Sequence, residues 1–168
     1  MQNKMEKTIS VNQKIQSLIP WILVFLWMFL IFNMSAQPAT QSNSLSTGVT
    51  EKLIELLNKL TPGADLNMEQ VNHIVRKNAH FFAYLILAIL VRNALRKGEI
   101  PKGKNLLLAI GICVLYAASD EFHQIFVPGR GPQVKDVFID SAGAVVGIGI
   151  YQLVNKMVKQ KSFNKAKL

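Results

Sequence analysis

Four apolar stretches, Leu18–Met34, Ala79–Ala94, Leu106–Ala118 and Val137–Val154, leave this 168-residue chain few ways to fold. A bilayer crossing needs about 20 mainly apolar residues. Backbone in lipid must satisfy its own hydrogen bonds, which a helix does and an open strand does not. The pattern predicts an all-α, polytopic membrane protein with four transmembrane helices. The length suits one domain, 1–168, with a membrane core over about 18–155 and a basic tail at each end. The first stretch carries no charge from Leu18 to Met34, and its Pro20 falls where a helix start would tolerate proline. The third is strictly apolar only from Leu106 to Ala118. It reaches spanning length only if Ser119–Gln124 is paired inside the bundle.

Charge sets the expected orientation. The formal net charge is +9. Thirteen of the 19 lysines and arginines lie in the N-terminal tail, the Arg92–Lys104 turn and the C-terminal tail. The other six are Lys52, Lys59, Arg76, Lys77, Arg130 and Lys135. The positive-inside rule then places both termini in the cytoplasm, with the Asn33–Val75 and His123–Val134 loops outside. The basic tracts sit beside apolar segments and are not interleaved with aromatics, a juxtamembrane pattern that argues against a nucleic-acid partner. Cleavage of the first stretch as a signal peptide is disfavoured, because Met34 is bulky two positions before Ala36 and the apolar run is long. The single cysteine, Cys113, forms no internal disulfide and suits a packing role.

The first outer loop turns helical. Val49, Leu53, Leu56, Leu57 and Leu60 recur at helical spacing, with Glu51, Lys52, Glu55 and Lys59 opposite. This predicts an extracytoplasmic amphipathic helix, stopped by Thr61-Pro62-Gly63, that shields the bundle. Asn67 with Gln70 three residues on predicts the start of a helix that runs into the second span.

Ionisable residues gather at one end of three spans. His73, Lys77, His80 and Tyr84 share a helical face entering the second. Asp120, Glu121, His123 and Gln124 close the third, and Asp136 and Asp140 open the fourth. Antiparallel helices would bring all three groups to one membrane face. Charges there are costly unless paired and usually mark a site. Lys77, His80 and Tyr84 alone would also suit an ordinary membrane boundary. The adjacent carboxylates of Asp120 and Glu121, however, need partners, for which Lys77, Arg76 and Arg130 are the candidates. Pro128-Gly129-Arg130-Gly131-Pro132 predicts a tight turn that fixes Arg130 over the cluster. Gly143 and Gly147 form a GxxxG, read as helix packing.

At these residues the chain resembles the VanZ-like family of bacterial membrane proteins. The matching stretches are Lys77-Asn78-Ala79-His80-Phe81-Phe82-Ala83-Tyr84, Ser119-Asp120-Glu121-Phe122-His123-Gln124 with Ile125–Arg130, and Asp136-Val137-Phe138-Ile139-Asp140 with Gly143. Ser35-Ala36-Gln37-Pro38 is similar too. The best-known member of that family is associated with resistance to the glycopeptide teicoplanin. The resemblance therefore implies a cell-envelope role, without specifying a reaction.

Three functions fit these residues. In the first, Arg76, Lys77 and Arg130 bind an anionic lipid headgroup or envelope precursor while the carboxylates position them; His80, Tyr84, His123, Gln124, Asp136 and Asp140 line the same site. In the second, His80 or His123, oriented by Asp120 or Glu121, is the acid or base of a membrane enzyme on a lipid-linked phosphate or ester. In the third, the ion pairs only hold helix ends together. A metal would draw on His80, His123 and a carboxylate, but no HExxH or comparable spacing supports one, so neither metal nor cofactor is expected. Membrane lipids are the expected partners.

Overall fold

The structure, a computed structural model, describes residues 2–61, 66–96, 102–131 and 133–165. Five helices follow in order: α1 (Gln2–Ser35), α2 (Ala39–Leu60), α3 (Met68–Arg96), α4 (Lys102–Gln124) and α5 (Val134–Lys165). No strand occurs among the described residues. Parts of α1, α3, α4 and α5 are long and apolar enough to cross a membrane. Pro62 and Gly63 of the helix stop, residues 97–101 of the Arg92–Lys104 turn, Pro132 and residues 166–168 of the C-terminal tail lie outside the described residues.

Pro20 differs from expectation. The helix that carries it starts at Gln2, so the proline sits inside α1. Proline costs a helix one internal hydrogen bond, which membrane helices tolerate when neighbours compensate. The start of α3 agrees with its sequence signal. The Asn67 side-chain oxygen accepts hydrogen bonds from the backbone N–H of Glu69 at 2.9 Å and of Gln70 at 3.2 Å, satisfying donors a helix start leaves orphaned.

α3 is the hub and packs against all four other helices. Its buried Tyr84, Leu87, Ala88 and Val91 meet Ala109, Cys113 and Ala117 of α4, Ala144 and Ile148 of α5, and Val24 and Ile31 of α1. Small residues dominate the α4 and α5 contributions. That suits association in lipid, where helices gain little from hydrophobicity and bind through close packing. The closest approach is between α3 and α5. A Cβ on Gly143 would collide with the Phe81 carbonyl, and one on Gly147 with the Leu85 carbonyl. Large apolar side chains such as Phe25, Phe29, Leu115, Phe138 and Leu153 point outward, as a lipid-facing surface requires.

Polar side chains add ties between the helices. Trp27 Nε1 donates to the Ala83 carbonyl at 2.9 Å, and Tyr116 Oη donates to the Met28 carbonyl at 2.5 Å. Asn105, buried at the start of α4, donates to the Leu95 carbonyl at 2.8 Å and accepts from Arg92. α2 rests on α3 through Thr50, whose hydroxyl lies 3.1 Å from Asn72 Oδ1, and through Arg76, which donates to Asn43 Oδ1 at 2.8 Å. Val49, Leu53, Leu56 and Leu60 of α2 are exposed.

Candidate functional site

The ends of α1 and α4 and the starts of α3 and α5 supply the polar cluster. α4 reaches spanning length by the route its sequence required, because Asp120, Glu121 and Gln124 are all buried. Ser35, the last residue of α1, makes part of that possible. Its hydroxyl donates to Asp120 Oδ2 at 2.8 Å and accepts from Gln124 Nε2 at 2.7 Å. One hydroxyl thus serves two residues one turn apart on α4. Glu121, about 100° further round the helix, instead accepts from the backbone N–H of Gln133 at 2.8 Å and so ties α4 to the start of α5.

The expected pairing of Asp120 and Glu121 with Lys77, Arg76 or Arg130 does not form among the described residues. Lys77 pairs with Asp136 at the start of α5. Arg76 turns to Asn43 of α2, and Arg130 Nη2 reaches the Met34 carbonyl at 3.5 Å. The tight turn does position Arg130: Gly129 adopts φ +74°, a conformation open to glycine, and the Pro128 carbonyl accepts from the Ala39 N–H at 3.2 Å.

Beneath Lys77, His80 faces Asp140, with Nδ1 to Oδ2 at 3.6 Å, longer than a hydrogen bond. Asp140 is fully buried, and neither carboxylate oxygen has a hydrogen-bond partner among the described residues. Asp120 Oδ1 is likewise buried and unpartnered. Donor atoms of His80, Asp120 and Asp140 all lie within 4.8 Å of one another, close enough for these three to hold a metal ion together. His123 stands apart, its ring against Phe32 with centroids 4.4 Å apart. Tyr84 is deeper, fully buried beside Tyr116, with a ring separation of 6.1 Å.

Two cavities meet at this cluster. A polar one of about 150 Å³ is lined by Lys77, Gln124, Gln133 and Asp136. A larger one of about 440 Å³ is mainly apolar, formed by Trp27, Leu30 and Ile31 of α1, Leu45 and Val49 of α2, and Phe82 of α3. Arg76, His80 and Arg130 line both. Burial first, and the nearby Arg76 second, push the Arg130 guanidinium below its ordinary value. It remains charged, because arginine does not deprotonate in proteins. Two cations therefore repel each other where a polar and an apolar cavity join.

The VanZ/LLP1 family model matches residues 20–155, from the first span to near the end of the last. The chain belongs to the VanZ/LLP1 family. No curated protein and no solved structure matches it. The stretch assigned to VanZ/LLP1 contains all the groups of the cluster, from Ser35 to Asp140. Sequence reasoning missed Ser35 as a site residue, although it directly follows the apolar run. It also missed Asn43, Gln133 and the apolar cavity. Gln133 acts through its backbone N–H, which no residue type advertises.

Proposed function

We propose that this protein binds a lipid with an anionic headgroup at the outer face of the bacterial cell membrane, with both termini in the cytoplasm. The headgroup is held by Arg76 and Arg130, and an acyl chain occupies the apolar cavity between α1, α2 and α3. One observation carries the reading. These two guanidiniums have no carboxylate salt-bridge partner among the described residues, yet they line the junction between a polar cavity and an apolar one. Arginine's planar fork is suited to phosphate and carboxylate oxygens. α2, whose exposed Leu45 and Val49 line the apolar cavity, is the interfacial helix that covers the bound chain. Sequestering or presenting such a lipid is the route by which a family member would alter the response to a lipid-tailed glycopeptide of the teicoplanin type.

The test is lipid retention. Full-length protein extracted from membranes should carry anionic lipid well above its membrane share, as read by mass spectrometry. An Arg76→Gln/Arg130→Gln variant should lose that enrichment, whereas Lys159→Gln, on the exposed end of α5, should keep it. Equal enrichment in both variants would overturn the reading.

A further inference from the structure

Two buried carboxylates lie side by side with too little to hold their charge. Asp140 is inaccessible and accepts no hydrogen bond among the described residues, and Asp120 has only Ser35 on one oxygen. Asp140 faces only His80, at 3.6 Å, Lys77 is paired with Asp136, and neither Arg76 nor Arg130 forms a salt bridge with Asp120 or Asp140 among the described residues. Buried charges in proteins are paired or coordinate metals, because an isolated one costs several kcal/mol or more. Here a third residue, His80, brings an imidazole nitrogen to the same point.

We propose that His80, Asp120 and Asp140 form a binding site for one divalent transition-metal ion of the zinc type. One imidazole nitrogen and two carboxylate oxygens match a borderline ion, with bonds of about 2.0–2.2 Å. Tetrahedral donors at that radius stand about 3.4 Å apart. The donors here lie within 4.8 Å of one another, so closure needs side-chain adjustments of about 1 Å and no movement of helices. A +2 ion neutralises the two carboxylates and removes the cost of burying them. Three protein donors leave a fourth position for water or an anionic oxygen. His80, which lines both cavities and is about a quarter exposed, gives the ion its way in. The ligands come from α3, α4 and α5, so no spacing in the sequence reveals them. From the sequence a metal would have drawn on His123; here a second carboxylate takes that place, and the His123 ring lies against Phe32. The site does not depend on the lipid reading, since neither Arg76 nor Arg130 is a ligand.

The experiment uses the full-length protein purified in detergent without chelators. Elemental analysis should find close to one equivalent of divalent metal per chain, after reloading with Zn²⁺ if necessary. Chelation should lower the melting temperature, and Zn²⁺ should restore it. Replacement by Co²⁺ should give the visible absorption of a low-coordinate cobalt site, a readout that needs no variant. Asp140→Asn and His80→Gln should weaken Zn²⁺ binding by more than about 100-fold, beyond the loss typical of removing a supporting contact. Asp136→Asn, on the same helix face but outside the triad, should retain the metal. Folded wild-type protein that takes up no Zn²⁺ and shows no cobalt absorption would overturn the proposal. So would Zn²⁺ binding unchanged by Asp140→Asn.

Discussion

Replacing Gly143 with alanine adds one methyl group at the tightest point of the bundle. The new Cβ would lie 3.0 Å from the Phe81 carbonyl carbon, 3.2 Å from its Cα and closer still to its oxygen. The obstacle is backbone, so no rotamer change relieves it, and α5 must move away from α3. Overpacking of this kind costs about 1–3 kcal/mol. A chain this size loses about 2–4 °C of melting temperature per kcal/mol, so Gly143→Ala should melt about 2–12 °C lower in detergent. Gly147→Ala meets Leu85 in the same way and should cost a similar amount. The double variant should cost clearly less than the sum, because a helix displaced by one methyl has already made room for the other. Gly111→Ala is the control: nothing lies within 4 Å of its Cβ position, and alanine is favoured over glycine within a helix by about 0.5–1 kcal/mol. If Gly143→Ala and Gly111→Ala melt alike, α3 and α5 are not in backbone contact, and the account of the bundle fails.

Two further outcomes follow from the polar contacts and a third from the charge split. Ser35→Ala leaves Asp120 Oδ2 and Gln124 Nε2 without their shared partner and should cost about 1–3 kcal/mol in thermal unfolding, whereas Ser44→Ala, on an exposed turn of α2, should cost almost nothing. Lys77→Gln and Asp136→Asn should each destabilise by about 1–3 kcal/mol, and the double variant should cost less than their sum. Strict additivity would show that the two do not pair. In a Cys113→Ala background, cysteines placed singly at Ser44 and Gly131 should react with a membrane-impermeant thiol reagent on intact cells, while those at Lys102 and Ser162 should not. Labelling at Ser162 would reverse the orientation inferred from the charge split.

The four spanning helices were legible because long uncharged runs leave a chain no alternative in lipid, and Asn67 and Gly129 announced a helix start and a turn through their own chemistry. What the sequence hid was who faces whom. Helical periodicity puts Asp120 and Gln124 on one face, but it does not give that face's direction or the axial offset between helices. Lys77 therefore looked like a partner for Asp120, yet the offset between α3 and α5 delivers it to Asp136. Glu121, adjacent in sequence to Asp120, points to a different helix. The extension of α1 upstream of Pro20 was hidden for a related reason. Residues 2–16 are mainly polar, and polarity marks where lipid burial stops, not where a helix does.

Consider the order in which the cluster's residues are made. Ribosomes build a chain from its N-terminus, so Ser35 already exists when Asp120 and Gln124 emerge, and its hydroxyl can receive both as α4 settles. Lys77 and His80 are also made early, but Asp136 and Asp140, which face them, arrive only with the last helix. Until α5 is in place, α3 carries an uncompensated lysine and α4 a glutamate without its Gln133 partner. A nascent chain stopped before α5 thus holds these groups without the partners that α5 and the residue before it bring. The close approach that sets Gly143 and Gly147 against the Phe81 and Leu85 carbonyls is thus the same step that brings Asp136 to Lys77 and Asp140 to His80.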